Sequence, residues 1–175
     1  MNASWPGRIA CSVPSRRKAA MRSRDYEEFL ESLNANGVRY LVVGAHAVAF
    51  HARPRATKDL DILIDPSPSN AERVLKAIRD FFGGADLGFE KQDLIEAGSI
   101  VQLGVAPVQF DLLSSLTSLK DFQTAWSHRV AGKYGDTEAF FISLADLLAE
   151  KEQTGRMQDR VDAASLRRAR DRQRG

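Results

Sequence analysis

The chain has 175 residues, 43% of them hydrophobic and 27% charged, which suits one packed domain and leaves too little for two comfortable ones. Its formal net charge is only +2, and the positive excess collects at Arg8 to Arg24 and Arg167 to Arg174, which read as solvated ends more readily than as arms that touch phosphate. No apolar run approaches the roughly 18 residues of a membrane span, and the start lacks the apolar segment of a secretory signal, so a cytoplasmic protein is expected.

The first two dozen residues read as a flexible basic extension, because Pro6 and Pro14 break any amphipathic transit helix there. The single cysteine, Cys11, lies within it and excludes an intramolecular disulfide or a thiolate metal site. The expected organisation is an extension over 1–24, one domain over 25–166 and a basic tail over 167–175.

From Asp25 onward, Tyr26, Phe29, Leu30 and Leu33 recur at helical spacing, and Asn36-Gly37 supplies the stop. Val38 to Val43 is short, apolar and β-branched, as a buried strand should be, and it leads into Gly44. Ala45 to His51 predicts a short helix that ends before Pro54. Lys58 to Asp65 then alternates, with Leu60, Ile62 and Ile64 on one face and Asp59, Asp61, Leu63 and Asp65 on the other.

Pro66-Ser67-Pro68 ends that strand, and Ser69-x-x-Glu72 reads as a capping box opening a helix that carries Val74, Leu75, Ile78 and Phe82 and stops at Gly83-Gly84. Ile100 to Leu103 and Val108 to Leu113 predict two strands joined by a turn at Gly104 to Pro107. Ala139 to Ile142 reads as a further strand, and Ser143-x-x-Asp146 caps a helix carrying Leu144, Leu147, Leu148 and Lys151, closed by Gly155. Met157 to Arg170 is helical by composition, with a basic end expected to fray. The sum is an α/β fold: a small mixed β-sheet flanked by helices, with a helical C-terminal portion.

Asp59 and Asp61, two apart on a strand, project from one face and can converge on shared cations. Phosphoryl-transfer sites use such grouping to hold two divalent ions about 3.5 to 4 Å apart. By itself Asp-x-Asp also fits a solvated strand face, and the preceding order of strand, Gly44 and helix is what favours chemistry. Gly44 permits close approach of the backbone to a ligand, and the free N–H groups of the next helix can bind phosphate. Arg55, Lys58 and Lys151 are candidate triphosphate cations. His46 reads either as a nucleotide contact or as a polar cap, Thr57 either as a nucleotide or water contact or as a strand-start hydroxyl, and His51 as structural.

Val43 to Ile62 and Leu144 to Asp162 resemble the DNA-polymerase-β-like nucleotidyltransferases, in particular their small bacterial branch of AbiEii-type toxins. The likeness extends over approximately Asp25 to Leu166. It maps the family's glycine motif onto Gly44-Ala45, its Asp-x-Asp strand onto Asp59-Leu60-Asp61, and its third carboxylate onto Asp111. It thereby implies an ATP-binding or other NTP-using nucleotidyltransferase with two Mg²⁺ ions, Mn²⁺ being the alternative, held by Asp59, Asp61 and Asp111. Asp111 would also accept the proton of the attacking hydroxyl. Lys151 and Arg156 match part of the C-terminal motif, and Asp159 and Asp162 are expected to hold their helix by charge pairing. Ala45 departs from the family's second Gly or Ser, so phosphate contacts there would come from backbone alone. The implied acceptors are RNA, slightly favoured by the basic ends, a protein hydroxyl or a small molecule, with a cognate toxin or antitoxin as partner. A weakly catalytic nucleotide-binding or partner module of the same fold is the alternative.

Overall fold

The computed structural model describes residues 8–11, 22–54, 57–105 and 107–174. Among these residues seven strands form one mixed sheet: β1 (Arg8–Cys11), β2 (Tyr40–Val42), β3 (Asp59–Ile64), β4 (Ile100–Val105), β5 (Val108–Leu113), β6 (Val130–Tyr134) and β7 (Thr137–Phe141). Their order is β1-β4-β5-β3-β2-β7-β6. β3 runs parallel to β5 and antiparallel to β2, while β4 and β5 form the expected antiparallel hairpin.

Helices cover both faces of this sheet. On one, Leu60, Ile62 and Ile64 of β3 pack with Phe110 and Leu112 of β5 under α1 (Arg22–Ala35) and α3 (Pro68–Phe81), through Phe29, Leu33, Val74 and Ile78. Phe29 and Leu33 are fully buried, and each such side chain stabilises the fold by about 1.5–3 kcal/mol. On the other, Leu41 and Leu63 pack with Ala47 and Val48 of α2 (Gly44–His51), Phe122 of α5 (Phe122–Ser127), Leu147 of α6 (Leu144–Thr154) and Leu166 of α7 (Met157–Arg174). The period-2 pattern of the acidic strand therefore sorts its residues between two covered faces. Asp65 at its end is not part of an acidic surface: it is buried and accepts from Arg39 Nη1 at 2.9 Å.

Several local expectations differ from the structure. The helix after β3 begins one residue before Ser69: Pro68 occupies the first turn, Ser67 is the N-cap, and no side-chain cap bond forms. Proline's fixed φ suits that position, and Glu72 instead meets Lys91 Nζ at 2.8 Å. A short α4 (Lys91–Ile95) has its own capping box from Glu90 and Asp93. Arg8–Cys11, inside the stretch expected to be flexible, adds a parallel strand to the outer edge of β4, where unpaired backbone groups offer a ready partner. At the other end, α7 continues to Arg174 rather than fraying. Leu166 and Ala169 are buried, and Arg167 Nη2 bonds Glu152 at 2.6 Å.

No helix among the described residues is long and apolar enough to cross a membrane. His51 is structural, its Nε2 donating to the Ile142 carbonyl at 2.7 Å and tying α2 to the end of β7. Burial holds its pKa below the ordinary 6.5 against the opposing pull of that bond.

Candidate functional site

Val42 pairs with Ile62, and the Val43 amide donates to the Asp61 carbonyl at 3.0 Å, so the chain leaves β2 directly beside Asp61. The next residue, Gly44, has φ +60°, and a Cβ built on it would overlap the Asp61 carboxylate. Glycine is required here twice over, by backbone conformation and by the close approach of that side chain. α2 starts at this point without a side-chain cap bond, which leaves its first amides and positive dipole end beside the carboxylate.

β3 and β5 pair in register, Asp59 with Gln109, Asp61 with Asp111 and Leu63 with Leu113. Neighbouring strands lie about 4.8 Å apart, so Asp61 and Asp111 stand side by side on one face. Asp111 Oδ1 accepts from Gln102 Nε2 at 3.0 Å and from Gln109 Nε2 at 3.2 Å. Its Oδ2 makes no hydrogen bond among the described residues. Two amides thus fix the carboxylate while leaving one oxygen for a ligand. Gln109 shares the strand face of Asp111 by simple alternation; Gln102 comes opposite only through the hairpin register, which the sequence pattern did not single out.

Gly44, Asp61 and Asp111 line a cleft of about 230 Å³ together with Glu150, Lys151, Thr154, Arg156 and Asp159. Lys151 is 9% exposed. Its Nζ donates to Asp159 Oδ1 at 2.6 Å and lies 3.2 Å from Asp162 Oδ2. Burial pushes the Asp159 carboxyl up, but the bonds from Lys151 and Thr154 and the charges of Lys151 and Arg156 outweigh it and hold the group below its ordinary value. The charge pairing expected of Asp159 and Asp162 is present, and it occupies the lysine read as a triphosphate cation. Arg156 is exposed at the cleft. Glu150, not singled out by any motif, accepts from the Ser118 amide at 2.8 Å and anchors the loop beside the cleft.

The remaining sequence candidates lie elsewhere. Asp59 shares the strand face of Asp61 but does not line the cleft. Ala45 is buried in the first turn of α2. His46 packs edge-on to Tyr26, and its Nδ1 lies 3.1 Å from the Tyr134 hydroxyl, away from the cleft lining. The Thr57 hydroxyl donates to the Asp59 carbonyl at 3.3 Å, as a strand-start residue does. Lys58 is exposed, and Arg55 lies outside the described residues. Among the described residues no three His, Cys, Asp or Glu side chains converge as a metal cluster. The Asp61 and Asp111 pair nevertheless offers hard carboxylate oxygens of the kind Mg²⁺ takes together with water and phosphate oxygens, so these two fit a divalent cation that substrate would help to hold.

No family model matches the sequence, and no curated protein matches it. Among solved structures, the chain is similar to the crystal structure of an antigenic nucleotidyltransferase-like protein from Paracoccidioides brasiliensis, at 15% sequence identity and a TM-score of 0.53, over 85% of this chain and 76% of that one. At this identity the likeness carries the fold alone.

Proposed function

From a nucleotidyltransferase-like fold, we propose that this protein transfers a nucleoside monophosphate from a nucleoside triphosphate to a hydroxyl acceptor and releases pyrophosphate. The carrying observation is the register that sets Asp61 beside Asp111 in a cleft opened by Gly44. Mg²⁺ bound there, two ions with Mn²⁺ as the alternative, would offset triphosphate charge and polarise the α-phosphate, with Asp61 and Asp111 as ligands and Asp59 joining when substrate is present. The N-terminal amides of α2 receive phosphate oxygens, and Gly44 gives them room. Asp111 takes the acceptor's hydroxyl proton as the new oxygen–phosphorus bond forms and the bond to pyrophosphate breaks. Arg156 offsets charge on the departing pyrophosphate. The acceptor is RNA, a protein hydroxyl or a small molecule, with RNA slightly favoured by the basic ends, and the AbiEii-like motifs support a place in a toxin–antitoxin pair.

A second reading has its own support. Lys151 is committed to Asp159 and Asp162, and Ala45 carries no hydroxyl, both of which favour a nucleotide-binding or partner module with little turnover. Incubation with α-labelled nucleoside triphosphates, Mg²⁺ and acceptor pools of RNA, protein or small molecules separates the two. The transferase reading requires label on an acceptor, with loss in Asp61→Asn and Asp111→Asn. Saturable nucleotide binding without transfer to any pool would establish the module instead.

A further inference from the structure

Tyr26 of α1 is 3% exposed and lies on the sheet face opposite the carboxylates. Its hydroxyl donates to the Lys58 carbonyl at 2.7 Å, one residue before Asp59. Its ring meets Phe110 edge-on, centroids 5.4 Å apart, one residue before Asp111. It also meets His46 edge-on at 5.5 Å, two residues after Gly44. Tyr134 closes the group from β6, with its ring 6.3 Å from Tyr26 and its hydroxyl on His46 Nδ1. A single side chain thus touches the flank of the glycine turn, the acidic strand and the strand of the third carboxylate.

We infer that Tyr26 is a positioning residue that fixes the spacing of Gly44, Asp61 and Asp111 from behind the sheet. The hydrogen bond to the Lys58 carbonyl fixes the chain where it enters β3, three residues before Asp61, and because alternate strand residues face opposite ways, the ring contact on Phe110 sets where Asp111 emerges on the other face. Carboxylates arranged for one cation depend on placement within a fraction of an ångström, which packed, hydrogen-bonded supports provide. The inference rests on the reading of Asp61 and Asp111 as a cation site.

Titration of Mn²⁺ into the full chain, by calorimetry or by loss of the free-ion electron paramagnetic resonance signal, tests it together with thermal unfolding. Tyr26→Phe keeps the ring and removes the hydroxyl. Tyr40→Phe is the control, since it removes another buried hydroxyl, bonded to Asn34 Oδ1 at 3.0 Å, on a strand that carries no carboxylate of the site. Tyr26→Phe is expected to bind Mn²⁺ about tenfold more weakly, the lower end of what losing a support behind metal ligands costs, while Tyr40→Phe binds as the native chain does. Native affinity in Tyr26→Phe, or equal weakening in both variants, overturns the inference and leaves the cation site standing. Absence of Mn²⁺ binding that Asp61→Asn abolishes overturns the cation site and the inference with it. Should Tyr26→Phe not fold, Tyr134→Phe replaces it: weakened Mn²⁺ binding supports the inference, and native affinity overturns it.

Discussion

Replacing Gly44 by alanine perturbs the site through one methyl group. At φ +60° an L-residue costs roughly 1–2 kcal/mol, and a displaced, off-rotamer Asp61 adds about 0.5–1.5 kcal/mol. The reduced entropy of the unfolded chain returns about 0.4–1 kcal/mol, so a net loss of about 0.5–3 kcal/mol is expected. For a domain of this size that lowers Tm by roughly 1–12 °C. Gly37→Ala is the matched control, because Gly37 has φ +63° and nothing within 4 Å of a built Cβ. Both variants carry the backbone cost; only Gly44→Ala meets Asp61. Paired thermal melts and NTP-transfer assays should show Gly44→Ala less stable than Gly37→Ala and depleted in transfer by at least about tenfold, a displacement of the reacting geometry being costly. Equal melts with full transfer in Gly44→Ala would refute the role assigned to that close approach.

Other outcomes follow from the same geometry. Lys151→Met removes the buried cation that Asp159 and Asp162 share, which should destabilise the fold by about 3–5 kcal/mol; Lys151→Met combined with Asp159→Leu should recover part of that in denaturant melts, and additivity of the two changes would contradict the pairing. Because the folded Asp159 is held below its ordinary 3.8, its contribution is fully present above that value and is lost as pH falls through the depressed folded value; Asp159→Asn should flatten that part of the acid limb of a Tm–pH curve. His51 has a folded pKa below 6.5, so the unfolded chain binds more protons just below that pH and stability falls on acidification from pH 6.5 downward. His51→Gln should remove that segment of the curve, and an unchanged curve would show that another group titrates there.

Much of this architecture was legible in residue order. The alternation around Asp59 and Asp61 gave both the strand and its two faces, and Gly104 to Pro107 gave the hairpin that carries Asp111. Ser143 capped its helix as the pattern required, accepting from the Asp146 amide. What the sequence hid was set by distant partners. Arg8–Cys11 becomes a strand only because β4 offers an open edge, and the basic end of α7 stays helical because Leu166, Ala169 and the Glu152 pair hold it. The short α4 and α5 have too few apolar positions to show a period, although the capping pair Glu90 and Asp93 was there to be read. In the site, the partnership of Asp61 and Asp111 depends on strand register, and the commitment of Lys151 to two carboxylates depends on how α6 and α7 pack. Neither follows from spacing along the chain.

Where a divalent cation sits is decided by anomalous diffraction from crystals of the protein grown with Mn²⁺ and a non-hydrolysable nucleoside triphosphate. A peak is expected about 2.1 Å from carboxylate oxygens of both Asp61 and Asp111, in the cleft beside Gly44. Nucleotide bound in that cleft with no Mn²⁺ on either aspartate would contradict that placement.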